Sequence, residues 1–376
     1  MESRRWREYN WPLLVCVLVL LVIGALAVYS ATLTAVTFNG TPLSILFPRQ
    51  LLYIGIGLVG MFLATILDYR LLSSLARPIY VITIVVLSIV HLVGQVSGGA
   101  QSWIAIGERT IQPAEPAKLA LVLALAAYFQ HFEARRESWP VQLGALALAL
   151  LPTLLVLLQP DLGTALVMVG IWLVMAWGSG IRGRHLAALA LLAVPILYVT
   201  WKTDLLLDEY QRRRLLTFFY LLTDPARVNR DDAYNVVQAL NAIGQGGWFG
   251  SGLTHGIFSQ GNYVPVQHTD FIFAVIAEEM GFIGALVLIV FQALLLWQAL
   301  SIAGQARDLF GRLIALGMFT MLFIHVLINI GMNLSLLPVT GLPLPLISHG
   351  GSFMITVLVG IGMLQSVALR RRRIVF

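Results

Sequence analysis

The stretch VQHTDFIFAVIAEEMGFIGALVLIV, residues 266–290, decides the fold: three carboxylates, Asp270, Glu278 and Glu279, stand at the doorstep of a long apolar run. A run of that kind is long enough to cross about 30 Å of hydrocarbon. An acid deep in lipid costs about 2.5–3.5 kcal/mol on insertion scales, so Glu278 and Glu279 must sit near an interface, face a cavity or find partners. If the helix starts at Asp270, the 3.6-residue period turns Glu278 about 80° and Glu279 about 180° away from it, so the three cannot serve one site.

Working outward, comparable apolar runs recur along all 376 residues, of which 59% are hydrophobic and 11% charged. Soluble proteins carry about 25% charged residues, so this is an integral membrane protein. Its fold class is all-α, with about ten transmembrane helices expected near 12–30, 51–67, 78–94, 117–130, 140–158, 162–177, 185–201, 279–300, 312–331 and 352–369. The fourth and sixth are short and could be tilted or partly re-entrant. The first run follows a basic start and exceeds a signal-peptide core, so it reads as an uncleaved anchor.

An even number of spans puts both termini on one side. The N-terminal RRWR, the turns with Arg70, Arg77, Arg135, Arg136, Arg182, Arg184, Arg307 and Arg312, and the terminal RRRR alternate with turns that are nearly free of cations. The basic turns, and both termini, are therefore cytoplasmic. The long 202–270 segment is extracytoplasmic. The net charge of +6 is accounted for by this rule and by anionic headgroups, and nucleic acid is excluded as a partner. The lone Cys16 excludes an intrachain disulfide and a thiolate metal site.

No linker or internal repeat divides the chain, so residues 1–376 read as a single polytopic domain, with 202–270 as an ordered extracytoplasmic loop within it. DEYQRRRLLTFFYLL reads as an interfacial helix. DAYNVVQALNAIGQGGWFGSGL reads as a second helix closed by Gly244 to Gly247.

Each candidate site residue has a structural and a functional reading. Asp270 is either a helix N-cap or an acid meeting water and a lipid-borne substrate. Glu115 and Lys118 are spaced to pair at the start of the fourth span, and Lys118 could offer its charge to a phosphate. Trp103 is an interfacial anchor or a face for stacking on a sugar. Arg212, Arg213, Arg214 and Arg49 bind headgroups or a substrate diphosphate. Asp161 in QPDLG is most simply an N-cap. His255, His268 and His349 share no metal-ligand spacing, and no zinc motif is present. LLPVTGLPLPLISHGGS, 336–352, is too rich in Pro and Gly to be helix, and irregular backbone at membrane depth must lie against protein or a wet cavity. It is either a rigid connector capped by Ser348 or Ser352, or an anion-receiving turn.

Taken together, SGGAQSWIAIGERTIQPAEPAKLAL, LQPDLGTAL, YQRRRLLTF, AYNVVQALNAIGQGGWFGSGL, VPVQHTDFIFAVIAEEMGFIG and LPVTGLPLPLISHGGS resemble, in order, the SEDS family of RodA, FtsW and SpoVE type. The resemblance implies a peptidoglycan glycosyltransferase that polymerises lipid II into glycan strands at the bacterial cytoplasmic membrane. It implies the growing strand as second substrate and a class B penicillin-binding protein as partner. By motif position Asp270 becomes the essential acid, and Glu115 and Lys118 fall in the segment lining a lipid-open cavity. This chain departs from the family at Gln101 and Ser102, at Val266 and at His349.

The expected chemistry is an inverting displacement with Asp270 as base and Lys118 and the outer arginines facing the diphosphate. The displacement is either metal-independent or assisted by a divalent cation at the diphosphate leaving group, and no other cofactor is implied. The rival readings are a lipid II flippase or transporter and a non-catalytic scaffold. The short N-terminal tail and YQRRRLLTF lean toward the RodA-like elongation role.

Overall fold

The computed structural model describes residues 8–35, 42–93, 95–97, 100–106, 109–185, 187–189, 191, 209–224, 227 and 230–371. Within these the chain forms α1 (Trp11–Leu33), α2 (Leu46–Ile66), α3 (Leu71–Val93), α4 (Ala114–His131), α5 (Trp139–Leu157) and α6 (Leu162–Ser179). After the loop helices α7 (Glu209–Thr223) and α8 (Arg230–Gly246) come α9 (Ile272–Gln305), α10 (Leu309–Asn333) and α11 (Gly351–Ala368). Eight of these helices are long and apolar enough to cross a membrane. α4 is a further buried helix of 18 residues, about 27 Å long, whose Glu115 and Lys118 make it less apolar. The expected seventh span, 185–201, lies almost entirely outside the described residues, as do the N-terminal RRWR and the last two arginines.

Three helices, α1, α6 and α10, start where a short polar side chain satisfies a free N–H group. The Leu13 amide donates to Asn10 Oδ1 at 3.1 Å, the Thr164 amide to Asp161 Oδ1 at 2.9 Å, and the Gly311 amide to Asp308 Oδ1 at 2.8 Å. Asp161 is thus the N-cap its sequence context suggested. α11 is the most enclosed of the apolar spans. It packs closely on α2, because a Cβ on Gly57 would collide with Leu358 and one on Gly362 with the Met61 carbonyl. The outward faces of α1, α2 and α3 leave Val22, Val59 and Ile82 exposed, as lipid-facing surfaces require.

One element departs from an all-helical reading. Three short strands, β1 (Gln95–Ser97), β2 (Ala100–Ile106) and β3 (Arg109–Ile111), pair antiparallel in that order, with Gln95 opposite Trp103 and Ile104 opposite Ile111.

The two ends of the bundle differ. At one, the Asn10 amide donates to Gln365 Oε1 at 3.1 Å and Gln365 Nε2 returns a bond to Asn10 O at 2.8 Å, so the start of α1 and the end of α11 share a face. Arg70–Asp308 (3.4 Å) and Arg370–Asp68 (3.2 Å) lie at this arginine-rich end. The opposite end holds the irregular segments around Gln112, Asp161, Asp270 and Ser348.

Candidate active site

Four irregular stretches converge at that opposite end, and each is fastened to the next. Gln112 Nε2 donates to Asp161 Oδ2 at 3.1 Å, and the Gln112 amide donates to Ser352 Oγ at 3.0 Å. The start of α6 sits under the 338–349 segment, since a Cβ on Gly163 would lie 3.0 Å from both Thr340 O and the Leu342 side chain. That segment is tied in turn to the residues before α9: Ser348 Oγ donates to Thr269 O at 2.6 Å, and the His349 amide donates to His268 O at 2.9 Å. α7 lies across the junction, with Gln211 Nε2 on Pro160 O at 3.0 Å and Arg214 Nη1 on Val339 O at 3.4 Å.

Asp270 stands at this junction. Its backbone carbonyl is clamped by Asn329 Nδ2 (2.9 Å) and Asn333 Nδ2 (3.0 Å), which project from the end of α10. Asn333 Oδ1 also accepts from the Ala274 amide at 3.2 Å. The N-cap position of α9 falls to Phe271, with no side-chain cap bond, so the Asp270 carboxylate is not consumed in capping. A small apolar cluster of Ala239, Ala242, Val264, Phe271 and Ala274 fixes the backbone here, while Asp270 itself stays partly exposed. Loss of hydration pushes its pKa up. Thr269 and the Arg214 guanidinium pull it down, and the Asp161 carboxylate pushes it up again.

The neighbouring acids behave differently. Glu278 accepts from the Phe258 amide at 2.6 Å and the Ser259 amide at 2.9 Å. Glu279 Oε1 accepts from Ser30 Oγ at 2.5 Å, Gln260 Nε2 at 3.1 Å and Ser259 Oγ at 3.3 Å. Both are buried and fasten the helical turn Ile257–Gln260 to α1 and α9.

Two residues further on, α9 breaks at Gly281 (φ 68°, ψ −169°), a conformation reserved for glycine. The 246–252 segment fills the gap. Ser251 and Gly252 amides donate to Glu278 O and Glu279 O, both at 3.0 Å, and the Phe282 amide donates to Gly247 O at 2.8 Å. The helix bonds lost at the break are thereby replaced by loop backbone.

The other expected site residues are distributed as follows. Lys118 and Glu115 pair at 2.8 Å, as their spacing suggested. Lys118 is fully buried, with its ammonium 2.9 Å from His325 Nε2, whose Nδ1 is 3.0 Å from Pro343 O. The expectation of a lysine at the rim meeting a phosphate is corrected: the charge is enclosed behind the 338–349 segment by a histidine from α10. Ser348 is likewise buried, and its hydroxyl is used twice, accepting from the Leu344 amide at 2.8 Å and donating to Thr269 O. It caps no helix; it holds Thr269 beside Asp270.

Of the arginine run, Arg213 turns outward to Glu209 at 2.5 Å, and it is Arg214 whose charge reaches Asp270. Arg49 lies at the flank: burial first, then the charges of His268 and Arg49, hold His349 down to about 4. Burial holds His268, whose ring centroid is 6.0 Å from that of His349, at about 4 as well. Trp103 is partly buried on β2, in the meander whose last strand leads to Gln112. Sequence reading missed Asn329, Asn333 and His325, three polar residues on the apolar α10, and polarity within a span was the signal that marks them.

Among the described residues, no group of three or more His, Cys, Asp or Glu side chains could hold a metal ion.

An apolar multi-span bundle, with an uncapped acid where irregular backbone meets the ends of six helices, defines a multi-pass membrane protein that works on a molecule at the membrane face. The chain belongs to the FtsW/RodA/SpoVE family: the family model, described as cell cycle protein, matches residues 11–373. It is 37% identical over 357 residues to the peptidoglycan glycosyltransferase MrdB of Escherichia coli strain K12, covering 94% of this chain and 93% of that one. With stage V sporulation protein E of Bacillus subtilis strain 168 the identity is 35% over 362 residues, covering 95% and 96%. Among solved structures, the Thermus thermophilus rod shape determining protein RodA matches with a TM-score of 0.70 at 32% identity, covering 97% and 98%. A chain from a study of how a peptidoglycan synthase complex coordinates polymerization and crosslinking matches with a TM-score of 0.80 at 35% identity, covering 96% and 98%.

Proposed function

We infer that this chain, a peptidoglycan glycosyltransferase, extends glycan strands from lipid II with Asp270 as the general base. The 4-hydroxyl of the acceptor sugar gives its proton to the Asp270 carboxylate as its oxygen attacks the anomeric carbon of the lipid-linked donor. The bond from that carbon to the diphosphate breaks with inversion, and the electron pair leaves on the polyprenyl diphosphate. A diphosphate is a weak base and needs cations more than a proton donor. Arg214, already aimed at the junction, is the residue for that role. The observation that carries the reading is the Asp270 carboxylate itself: partly exposed, spared from capping, and raised in pKa by loss of hydration, so it is a better proton acceptor than a solvated aspartate.

The strand-extending face is the extracytoplasmic one of the bacterial cytoplasmic membrane, because the short turns of the opposite face carry most of the arginines. The partner for crosslinking is a transpeptidase of the class B penicillin-binding type, supported by the likeness to a chain of a polymerizing and crosslinking complex. The elongation role is supported by the likeness to a rod shape determining protein.

Purified protein with labelled lipid II tests the reading. Asp270→Asn abolishes chain growth and leaves any movement of the lipid across the bilayer unchanged. Loss of movement with chain growth preserved assigns the transporter reading instead, and chain growth that needs the partner and survives Asp270→Ala assigns the scaffold.

A further inference from the structure

At the arginine-rich end, far from Asp270, a groove of about 830 Å³ opens between the ends of α6 and α9 and the start of α10. Its wall divides by chemistry. Arg136, Arg307 and Arg312 bring three guanidiniums, while Trp177, Leu300 and Leu316 bring an apolar surface. Trp177 is 67% exposed, with its indole at the end of a membrane-spanning helix, where tryptophan marks the headgroup level. The room depends partly on Gly304, around which a Cβ would meet nothing within 4 Å.

The acids lining the groove are occupied. Glu133 stands 3.9 Å from Arg136, and Asp308 is held by the Tyr69 hydroxyl (2.8 Å), the Gly311 amide (2.8 Å) and Arg70 (3.4 Å). A second groove of about 670 Å³ shares Glu133 and Arg136 and adds Arg135, Arg182 and Arg184 with one further acid, Glu137, which pairs with Arg182 at 2.7 Å. Guanidiniums therefore outnumber carboxylates along the whole surface. Nothing in sugar transfer at the opposite end uses them.

We propose that the groove between α6, α9 and α10 is a binding site for an anionic glycerophospholipid. Its phosphate sits among Arg136, Arg307 and Arg312, and its acyl chains run over Trp177, Leu300 and the lipid-facing side of α9. Guanidinium forks match phosphate oxygens in pairs. A cationic pocket between spans with one apolar wall suits a headgroup still attached to its chains. Inorganic phosphate would find the charges but gain nothing from the apolar wall.

The test is native mass spectrometry of the full chain in detergent, titrated with a cardiolipin- or phosphatidylglycerol-type lipid, with a zwitterionic lipid and with inorganic phosphate. The wild type retains the anionic lipid at a defined stoichiometry. The double variant Arg307→Gln with Arg312→Gln loses roughly tenfold or more in apparent affinity. Gly304→Leu, which fills the space, keeps every charge and favours helix, loses the lipid too. Arg77→Gln removes an exposed cation of the same end that lies off the groove, and retention stays as in the wild type.

Equal loss in Arg77→Gln, unchanged retention in Gly304→Leu, or retention of the zwitterionic lipid to the same degree overturns the proposal. So does saturation by inorganic phosphate that displaces the lipid as well as unlabelled lipid does. Melting curves of each variant accompany the titrations. If the double variant does not fold, Gly304→Leu decides alone.

Discussion

Asp270 and the pair Glu278 and Glu279 lie within ten positions on one helix and its approach, yet their surroundings are opposite. Each glutamate is buried and held by donors, amides for Glu278 and hydroxyls and an amide side chain for Glu279. The Asp270 carboxylate caps nothing and keeps an opening; its backbone carbonyl, rather than its side chain, carries the structural bonds. A carboxylate held by buried donors is closed to an incoming hydroxyl. One that has lost water, keeps an opening and accepts from Thr269 alone among side-chain donors is primed to accept a proton.

The largest expected separation between the two regions is in rate. Asp270→Asn lowers lipid II polymerisation by about 100- to 10,000-fold, the range a general base contributes, measured as product per folded molecule. Substituting a glutamate separates them in stability. Glu278→Ala strands the Phe258 and Ser259 amides and costs roughly 3 kcal/mol, seen as a lower denaturation midpoint, while activity per folded molecule persists. An unaltered midpoint would remove the structural role given to Glu278.

Gly281→Ala probes the same fastening from the backbone side. Its Cβ would come within 2.3 Å of the Gly250 amide nitrogen in a region of φ and ψ open essentially to glycine alone. The cost is roughly 1–3 kcal/mol or more, again as a shifted midpoint.

The smallest effects are in pH. The base must be ionised, so the rate rises with pH through a pKa displaced above the ordinary aspartate range. Arg214→Gln removes a charge that favours the ionised form and moves the acid limb to higher pH. Asp161→Asn removes one that opposes it, keeps the cap on Thr164, and moves the limb to lower pH. Opposite or absent shifts would take Arg214 and Asp161 out of the Asp270 environment.

The spans were readable because burial in lipid demands long apolar runs. Nine of the ten expected spans correspond to described helices, and most ends agree within a few residues. The largest errors at a start, seven residues each, were in α3, which begins at Leu71 rather than near 78, and in α9, which begins at Ile272 rather than near 279. Its acids look like an interface, but they are inside because Ser30 and the 256–260 turn supply donors.

Such contacts are not local. Ser30 meets Glu279 across 249 positions and Lys118 meets His325 across 207, so spacing along the chain carries no trace of either. The i, i+3 pair of Glu115 and Lys118 and the Asp161 cap are local, and both were legible. Sequence did not separate Arg212, Arg213 and Arg214 within their run, whereas the turn of α7 brings Arg214 to the acid, because helical phase relative to the rest of the fold is a tertiary property.

The most direct measurement is made on two variants in parallel, Asp270→Asn and Glu278→Gln, each scored for lipid II polymerisation and for its unfolding midpoint. Asp270 has its folded pKa raised, so ionising it opposes folding, and stability is lost as pH rises from the unfolded to the folded pKa. At neutral pH Asp270→Asn therefore melts no lower than the wild type while polymerisation is abolished, whereas Glu278→Gln melts lower and polymerises normally per folded molecule. Polymerisation that survives Asp270→Asn in a well-folded protein would contradict the account.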